Sequence, residues 1–270
     1  MIEIFTFVFI FILGVIIGSF LNVVIYRFNT GKKITKGKSM CMTCGKSLHW
    51  NELIPMFSFL FQFGRCRGCR AKISYQYPLV EFFTGVIFTL IAYHLYPILE
   101  ISTINFVVLL SIFLFIFSIL IIICVYDFRH KIIPDSLVYT YIIISFLLIF
   151  INTTGVGSFF VIPSIWGVLA GPMLALPFAL IWYFSSGKWM GFGDAKLMLG
   201  IGWMLGLNMG IVALMISFWI GGIFGIFALI FKRFTKVNSK TEIPFAPFLI
   251  LGTLIVFLFN INIYKLLSIF

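Results

Sequence analysis

Residues 106–127, FVVLLSIFLFIFSILIIICVYD, set the class of structure that this chain can adopt. Residues 106–126 contain no charged side chain, and the run ends on the carboxylate of Asp127. A run of about 18 or more apolar residues can cross the roughly 30 Å hydrocarbon core of a bilayer as a helix. Such runs recur along the chain, whereas the alternating segments of about ten residues that are typical of a membrane β-barrel are missing.

The overall composition points to the same class. Of the 270 residues, 62% are hydrophobic and 10% are charged. A soluble domain of this size cannot cover so apolar a core with so little polar surface. We predict an all-α polytopic membrane protein with about eight transmembrane helices, at residues 4–26, 77–97, 104–126, 135–152, 159–184, 193–207, 209–232 and 244–264.

The basic residues predict which side of the membrane each loop occupies. Residues 1–3 carry no Lys or Arg, so we expect a retained first helix with its N-terminus outside. With eight spans, every Lys and Arg except Lys265 then falls on one side, which the positive-inside rule makes cytoplasmic. The net charge of +11 therefore reflects topology and attraction to anionic lipids. The basic residues do not follow one soluble face, which argues against a nucleic-acid partner.

Two C-x-x-C knuckles occupy the longest predicted cytoplasmic loop, residues 27–76. A segment this short buries little apolar surface and normally needs a cross-link or a metal to fold. Four thiolates at this spacing can close a tetrahedral zinc site, which we favour over a redox pair in the reducing cytoplasm. We predict three parts of the chain: the first helix (1–26), a zinc-stapled loop domain (27–76) and a seven-helix membrane domain (77–270). The predicted ligands are Cys41, Cys44, Cys66 and Cys69.

Two aspartates stand out among the eight acidic residues. Asp127 follows the apolar run at a helix C-terminus, where the helix dipole disfavours a carboxylate. Asp194 follows Gly191-Phe192-Gly193 at a helix N-terminus, where an ordinary N-cap is the alternative reading. Both are expected at the cytoplasmic end of their spans, so they can meet. Two aspartates that share a site keep one proton between them, and the dipoles assign that proton to Asp127.

Three further residues are candidate auxiliary groups of such a site. Glu81, at the entrance to the second span, either faces the same cavity or is an interfacial acid paired with an Arg. Asp135 follows Pro134 at a helix start, where a capping role is expected. Lys196 lies two residues after Asp194.

The order of these motifs resembles that of the bacterial prepilin peptidases, also called type IV leader peptidases, of the GxGD class of membrane aspartyl proteases. The resemblance covers most of the chain. One departure is Phe28-Asn29, where the family often has Leu-Pro. The matching pieces, in chain order, are residues 18–27 (GSFLNVVIYR), the two knuckles, residues 73–81 (ISYQYPLVE), Asp127 with Ile133-Pro134-Asp135, and residues 191–197 (GFGDAKL).

This resemblance implies an activity and a site. Asp127 and Asp194 would be the catalytic pair, with Gly191 and Gly193 in the active-site loop. The enzyme would cleave the basic leader of type IV pilin-like or pseudopilin precursors at the cytoplasmic face of the bacterial inner membrane, after a Gly and commonly before a Phe. Many members also methylate the new N-terminus with S-adenosylmethionine, and Gly64 occupies a position linked to that activity.

Two other classes of function compete with the peptidase hypothesis. A transporter would use intramembrane acids to carry protons or cations, but it predicts an internal repeat and acids near the middle of the bilayer. Neither is visible in the sequence. The third reading is a non-enzymatic, zinc-bearing assembly protein of a pilus or competence system.

Overall fold

A computed structural model of the chain describes residues 2–31, 33, 39–153, 157–230 and 244–267. Within these ranges the chain is helical, with isolated β-bridges and no strand. Among the described residues, five helices are long and apolar enough to cross a membrane, and two shorter helices, Asp135–Leu148 and Ala246–Phe259, are also apolar. This confirms the predicted all-α polytopic fold. The helices are α1 (Ile2–Arg27), a 3-10 turn (Trp50–Glu52), α2 (Phe57–Phe61), α3 (Gln76–Ile101), α4 (Thr103–His130), α5 (Asp135–Leu148), α6 (Ile165–Ser185), α7 (Phe192–Ile230), α8 (Ala246–Phe259) and α9 (Ile263–Leu267).

Some helix ends differ from the predicted spans for local reasons. α4 continues to His130, one turn beyond the predicted end, so Asp127 lies inside its last turn. α6 begins at Ile165 rather than at residue 159, because the hydroxyl of Ser164 accepts a hydrogen bond from the Gly167 N–H at 3.1 Å and caps the helix. The residues before this cap include an antiparallel bridge between Ile151 and Phe160.

The sixth and seventh predicted spans follow each other directly in α7, which is interrupted at a single residue. Gly206 has φ 75° and ψ 172°, outside helical geometry, and it divides α7 into two helices without a loop. The predicted separation at residue 208 is therefore displaced by two residues. The basic cluster at 232–243 and the loop lysines Lys32, Lys36 and Lys38 lie outside the described residues.

The chain forms two compact units: residues 1–97 with 110–122, and residues 98–109 with 123–270. In the first unit α1 and α3 approach closely, since a Cβ built on Gly14 would lie 2.7 Å from the Cα of Gly85. Ile10, Phe88 and Ala92 form an apolar cluster beside this contact. The predicted domain boundaries at residues 27 and 77 rest on membrane sidedness and stay predictions.

In the second unit α7 packs against α5, α6 and α8. A Cβ on Gly202 would lie 2.6 Å from the Cα of Gly171, so α6 and α7 meet backbone to backbone. Gly200 faces the ring of the fully buried Tyr141 on α5. Small residues allow this kind of close helix packing in membrane proteins. The first half of α7, which carries Asp194, is thus held on two sides.

The break in α7 makes a testable demand on Gly206. Its φ is positive and its ψ is extended, a combination that is almost confined to glycine, and a Cβ there would meet no atom within 4 Å. Gly206→Ala therefore introduces backbone strain of about 1–3 kcal/mol and no clash. We expect a lower unfolding midpoint in detergent micelles. Gly222→Ala is the matched control, because Gly222 also has open space but lies within α7 without that φ. Alanine there should leave the midpoint unchanged or raise it. Equal shifts in both variants would contradict the assigned break.

Candidate active site and metal centre

Asp127 lies in the last turn of α4 and is buried, with 5% of its surface exposed. Its carboxylate accepts a hydrogen bond from the backbone N–H of Ala246, the first residue of α8. The first N–H groups of a helix have no partner within the helix and carry partial positive charge. The start of α8 therefore offsets the unfavourable position of Asp127 at the end of α4.

Asp194 is the third residue of α7 and is also buried, at 8% exposed. Its backbone N–H bonds to the Gly191 carbonyl at 3.3 Å, so Asp194 lies inside the first helical turn and is not its N-cap. It is close enough to Asp127 for the two carboxylates to interact electrostatically. Both acids belong to the second compact unit. The dipole argument that assigned the proton to Asp127 loses its basis, because both carboxylates lie beside a helix N-terminus.

The two glycines before Asp194 have different surroundings. A Cβ on Gly193 would lie 2.9 Å from the Cβ of Ile133, so the missing side chain lets this turn pack on the residues before α5. A Cβ on Gly191 would meet nothing nearer than 4.0 Å. Gly193 therefore has an internal packing reason to be glycine. The place of Gly191 and Gly193 in an active-site loop stays a prediction.

An ion pair joins the starts of α5 and α7 beside Asp194. The Lys196 Nζ lies 2.6 Å from the Asp135 Oδ1, and 4.9 Å from the centre of the Tyr139 ring. Pro134 occupies the N-cap of α5, and Asp135 lies in the first turn, at the helix start where it was expected. Asp135 forms the ion pair from this position. The pair links the start of α7 to the start of α5, and because Asp135 is exposed it contributes about 0–1 kcal/mol. Both residues are candidates in the sequence analysis, but no sequence pattern predicts that they contact each other.

Glu81 lies in α3, in the first compact unit, and is 6% exposed. Its carboxylate accepts a hydrogen bond from the Met56 N–H at 2.7 Å and one from the Ser19 hydroxyl. Among the described residues, no basic side chain lies within ion-pair distance of it, so the expected Arg partner is not seen there. Its expected place in a cavity with the aspartates stays a prediction.

Gly64 has a structural reason to be glycine. Its φ is +63°, and a Cβ there would lie 3.0 Å from the ring of Phe59. Its carbonyl accepts a hydrogen bond from the Ile73 N–H at 2.8 Å. These contacts shape the approach to the second knuckle. A role in binding a methyl donor stays a prediction for this residue.

The four cysteines of the two knuckles come together. Their sulfur atoms all lie within 4.8 Å of one another, and all four are free thiols. A tetrahedral site with Zn–S bonds of about 2.3 Å places sulfur atoms roughly 3.8 Å apart. The Sγ atoms of Cys41 and Cys69 are 3.8 Å apart. The cluster thus has the donors and the dimensions that zinc requires, as the spacing predicted.

The knuckles repeat one local geometry. The N–H of Gly45 donates to the Cys41 carbonyl, and the N–H of Arg70 donates to the Cys66 carbonyl, both at 2.9 Å. The backbone N–H groups of Cys44 and Thr43 lower the pKa of the Cys41 thiol to about 6, which favours the thiolate that a metal binds.

One loop acid supports the fold nearby: the His49 N–H and the Lys46 ammonium hold the pKa of Glu52 below its usual value.

Comparison with known proteins gives the chain its family. A sequence model described as "Type IV leader peptidase family" matches residues 114–226, and one described as "Bacterial Peptidase A24 N-terminal domain" matches residues 12–95. A Bacillus subtilis protein named prepilin leader peptidase/N-methyltransferase is 31% identical over 255 residues, which is 94% of each chain. The chain belongs to the type IV leader peptidase family. It is accordingly an aspartic-type peptidase, as predicted.

Other relatives carry the same name. The Vibrio cholerae protein is 30% identical over 259 residues, covering 91% of this chain and 94% of its own. The Myxococcus xanthus protein is 51% identical over 81 residues, covering 30% of this chain and 24% of its own. No solved structure matches the chain. The match to the bacterial peptidase N-terminal domain contains the four knuckle cysteines, and the match to the type IV leader peptidase family contains both aspartates.

We expect one zinc ion per chain at the cysteine cluster. Cys44→Ser should remove the metal and lower the unfolding midpoint, because the loop domain has little other core to hold it. Cys124→Ser is the control, since Cys124 lies in α4 outside the cluster and should keep full zinc content. Zinc is measured by elemental analysis of protein purified in detergent. Full zinc content in Cys44→Ser would contradict the assignment.

Proposed function

We propose that this protein removes the leader of type IV pilin-like or pseudopilin precursors, using Asp127 and Asp194 as its catalytic pair. The supporting observation is that two buried carboxylates interact within one compact unit, each beside a helix N-terminus. Like charges this close do not both ionise readily, so one carboxyl keeps a proton. This split supplies a base and an acid in the same site.

The chemistry follows from that split. The ionised carboxylate takes a proton from a water molecule, whose oxygen attacks the carbonyl carbon of the scissile peptide bond. The protonated carboxyl gives its proton to the departing nitrogen as the carbon–nitrogen bond breaks. The Ala246 N–H stabilises Asp127 while it is anionic, and the Lys196–Asp135 pair links the start of α7, which carries Asp194, to α5.

The substrate side of the proposal rests on family membership and on charge. The relatives are named prepilin leader peptidases, which supports a prepilin as the substrate. The motif resemblance implies that the bond after a Gly, commonly before a Phe, is the one cleaved. The apolar helices support a multi-pass protein. The basic loops support an outside N-terminus and an active site facing the cytoplasm in the bacterial inner membrane.

A second activity of the same protein is N-methylation of the new terminus. The N-methyltransferase part of the relatives' names supports it. S-adenosylmethionine would supply the methyl group, and the first compact unit, with Gly64, is where we expect that chemistry. Family membership favours these enzyme activities over the transporter and over the non-enzymatic assembly protein.

The aspartate pair is tested by coexpression with a pilin-like precursor. Asp127→Asn and Asp194→Asn keep the side-chain shape but remove the acid, and each should slow leader removal by about 10³-fold or more. Glu100→Gln, at an exposed position near the end of α3, should not slow it. Leader removal by both Asn variants at the wild-type rate would refute the pair. No leader removal by the wild type would refute the peptidase function for such precursors.

Methylation has a separate readout in the same experiment. The mature terminus should gain about 14 Da, the mass of one methyl group replacing hydrogen, when analysed by mass spectrometry. Since this step needs a free terminus, Asp127→Asn should abolish it as well, and a precleaved substrate should restore it. An unmodified terminus beside normal cleavage would leave the peptidase as the only activity.

A further inference from the structure

Glu81 and Asn22 form a buried cluster of acceptor groups in the first compact unit, one helical turn apart across the α1–α3 contact. A Cβ on Gly18 would lie 2.8 Å from the Cα of Glu81. One turn further along α1, the Asn22 Nδ2 donates to the Tyr77 carbonyl at 3.1 Å, and Tyr77 lies one turn before Glu81 on α3. Residues four apart share a helix face, so Asn22 and Glu81 lie along the same contact.

Each residue keeps one buried feature without compensation: a hydrogen-bond acceptor on Asn22 and a negative charge on Glu81. Asn22 is 1% exposed, and its Oδ1 has no hydrogen-bond partner among the described residues. Glu81 is 6% exposed and bonds only to the Met56 N–H and the Ser19 hydroxyl, without a cation in the described part of the chain. Buried charges in proteins are normally paired, and buried polar atoms are normally hydrogen-bonded. The cluster therefore has the chemistry of a cation site.

A second buried glutamate among the described residues of this unit, Glu52, shows how such a charge is ordinarily compensated. Glu52 also accepts a backbone N–H from the loop, that of His49 at 2.9 Å. Its charge is paired with Lys46 at 3.3 Å. Glu81 has the same kind of backbone contact without the lysine, so a loop tether alone does not account for its charge.

The geometry points to a primary ammonium as the missing partner. An ammonium brings one positive charge and three N–H donors, which match a carboxylate, an amide oxygen and the Ser19 hydroxyl oxygen. A sulfonium brings the charge but no donor, and it would leave the Asn22 Oδ1 unbonded. We infer that Ser19, Asn22 and Glu81 bind the new N-terminal ammonium of the processed substrate. This inference rests on the proposed function, which generates such a terminus.

This placement suits the second activity. An ammonium nitrogen must lose a proton before it can act as a nucleophile, and a carboxylate in contact with it can accept that proton. Met56, whose N–H bonds to Glu81, has φ 58° and ψ −52°, a conformation that residues other than glycine rarely adopt. Strained backbone of this kind is common at functional sites.

The test compares two synthetic peptides in detergent micelles with the full-length protein. Both begin with Phe and continue with an apolar pilin-like sequence, and one of them is N-acetylated. We expect the wild type to bind the free-amine peptide about tenfold or more tightly than the acetylated one, as suits a charge-assisted hydrogen-bond site. Glu81→Gln and Asn22→Ala should each lose most of this preference. Glu52→Gln is the matched control and should keep it. Unfolding midpoints check that every variant is folded.

Each other outcome is decisive. Equal binding of the two peptides by the wild type, or a full preference retained in both Glu81→Gln and Asn22→Ala, would overturn the site. Loss of the preference in Glu52→Gln would trace it to the loop fold and would also overturn the site. A Glu81→Gln variant that weakens only S-adenosylmethionine binding would reassign the cluster to the donor. Leader removal and methylation by the wild type are measured separately, so their absence would refute the proposed function while an observed amine preference keeps the site.

Discussion

Moving a carboxylate out of water costs several kcal/mol unless its charge is compensated, and at least four of the eight acids in this chain are buried. Each has a different environment. Glu52 has a lysine and a backbone N–H, Asp127 has the first N–H of α8, and Glu81 has a backbone N–H and a hydroxyl. Asp194 has the start of its own helix and a second carboxylate nearby. Glu81, which has no cation among the described residues, and Asp194, which has a second carboxylate nearby, are the acids at which chemistry is expected.

Close packing between the helices holds these carboxylates at fixed places. Close backbone contact at Gly171 and Gly202, and the tight fit of Gly200 against Tyr141, fix the half of α7 that carries Asp194. The break at Gly206 then lets the second half of α7 take its own direction. Side chains packed this tightly have little freedom to move independently. A carboxylate on such a helix is therefore held more precisely than one on a loop.

Much of this arrangement could be predicted from sequence because hydropathy and spacing are local signals. The apolar runs predicted the helices, and two C-x-x-C pairs predicted the four-sulfur cluster. Long-range contacts were missed. Nothing near Asp127 in sequence indicates that Ala246 donates to it, and nothing near Lys196 indicates Asp135 as its partner. The later start of α6 was missed because apolar residues precede the Ser164 cap and hydropathy does not distinguish them from helix. The orphaned Asn22 oxygen had no sequence signal at all.

The central claim is that Asp127 and Asp194 form one site that shares a proton. Infrared spectroscopy of protein labelled with carboxyl-¹³C aspartate tests it directly, since protonated and ionised carboxyl groups absorb at separate frequencies. At neutral pH the wild type should show one buried, protonated aspartic acid. Each single Asn variant should weaken or shift that band, because the remaining carboxyl is still buried but no longer has a charged neighbour. A wild type without a protonated aspartic acid, or a band that survives unchanged in both variants, would contradict the account.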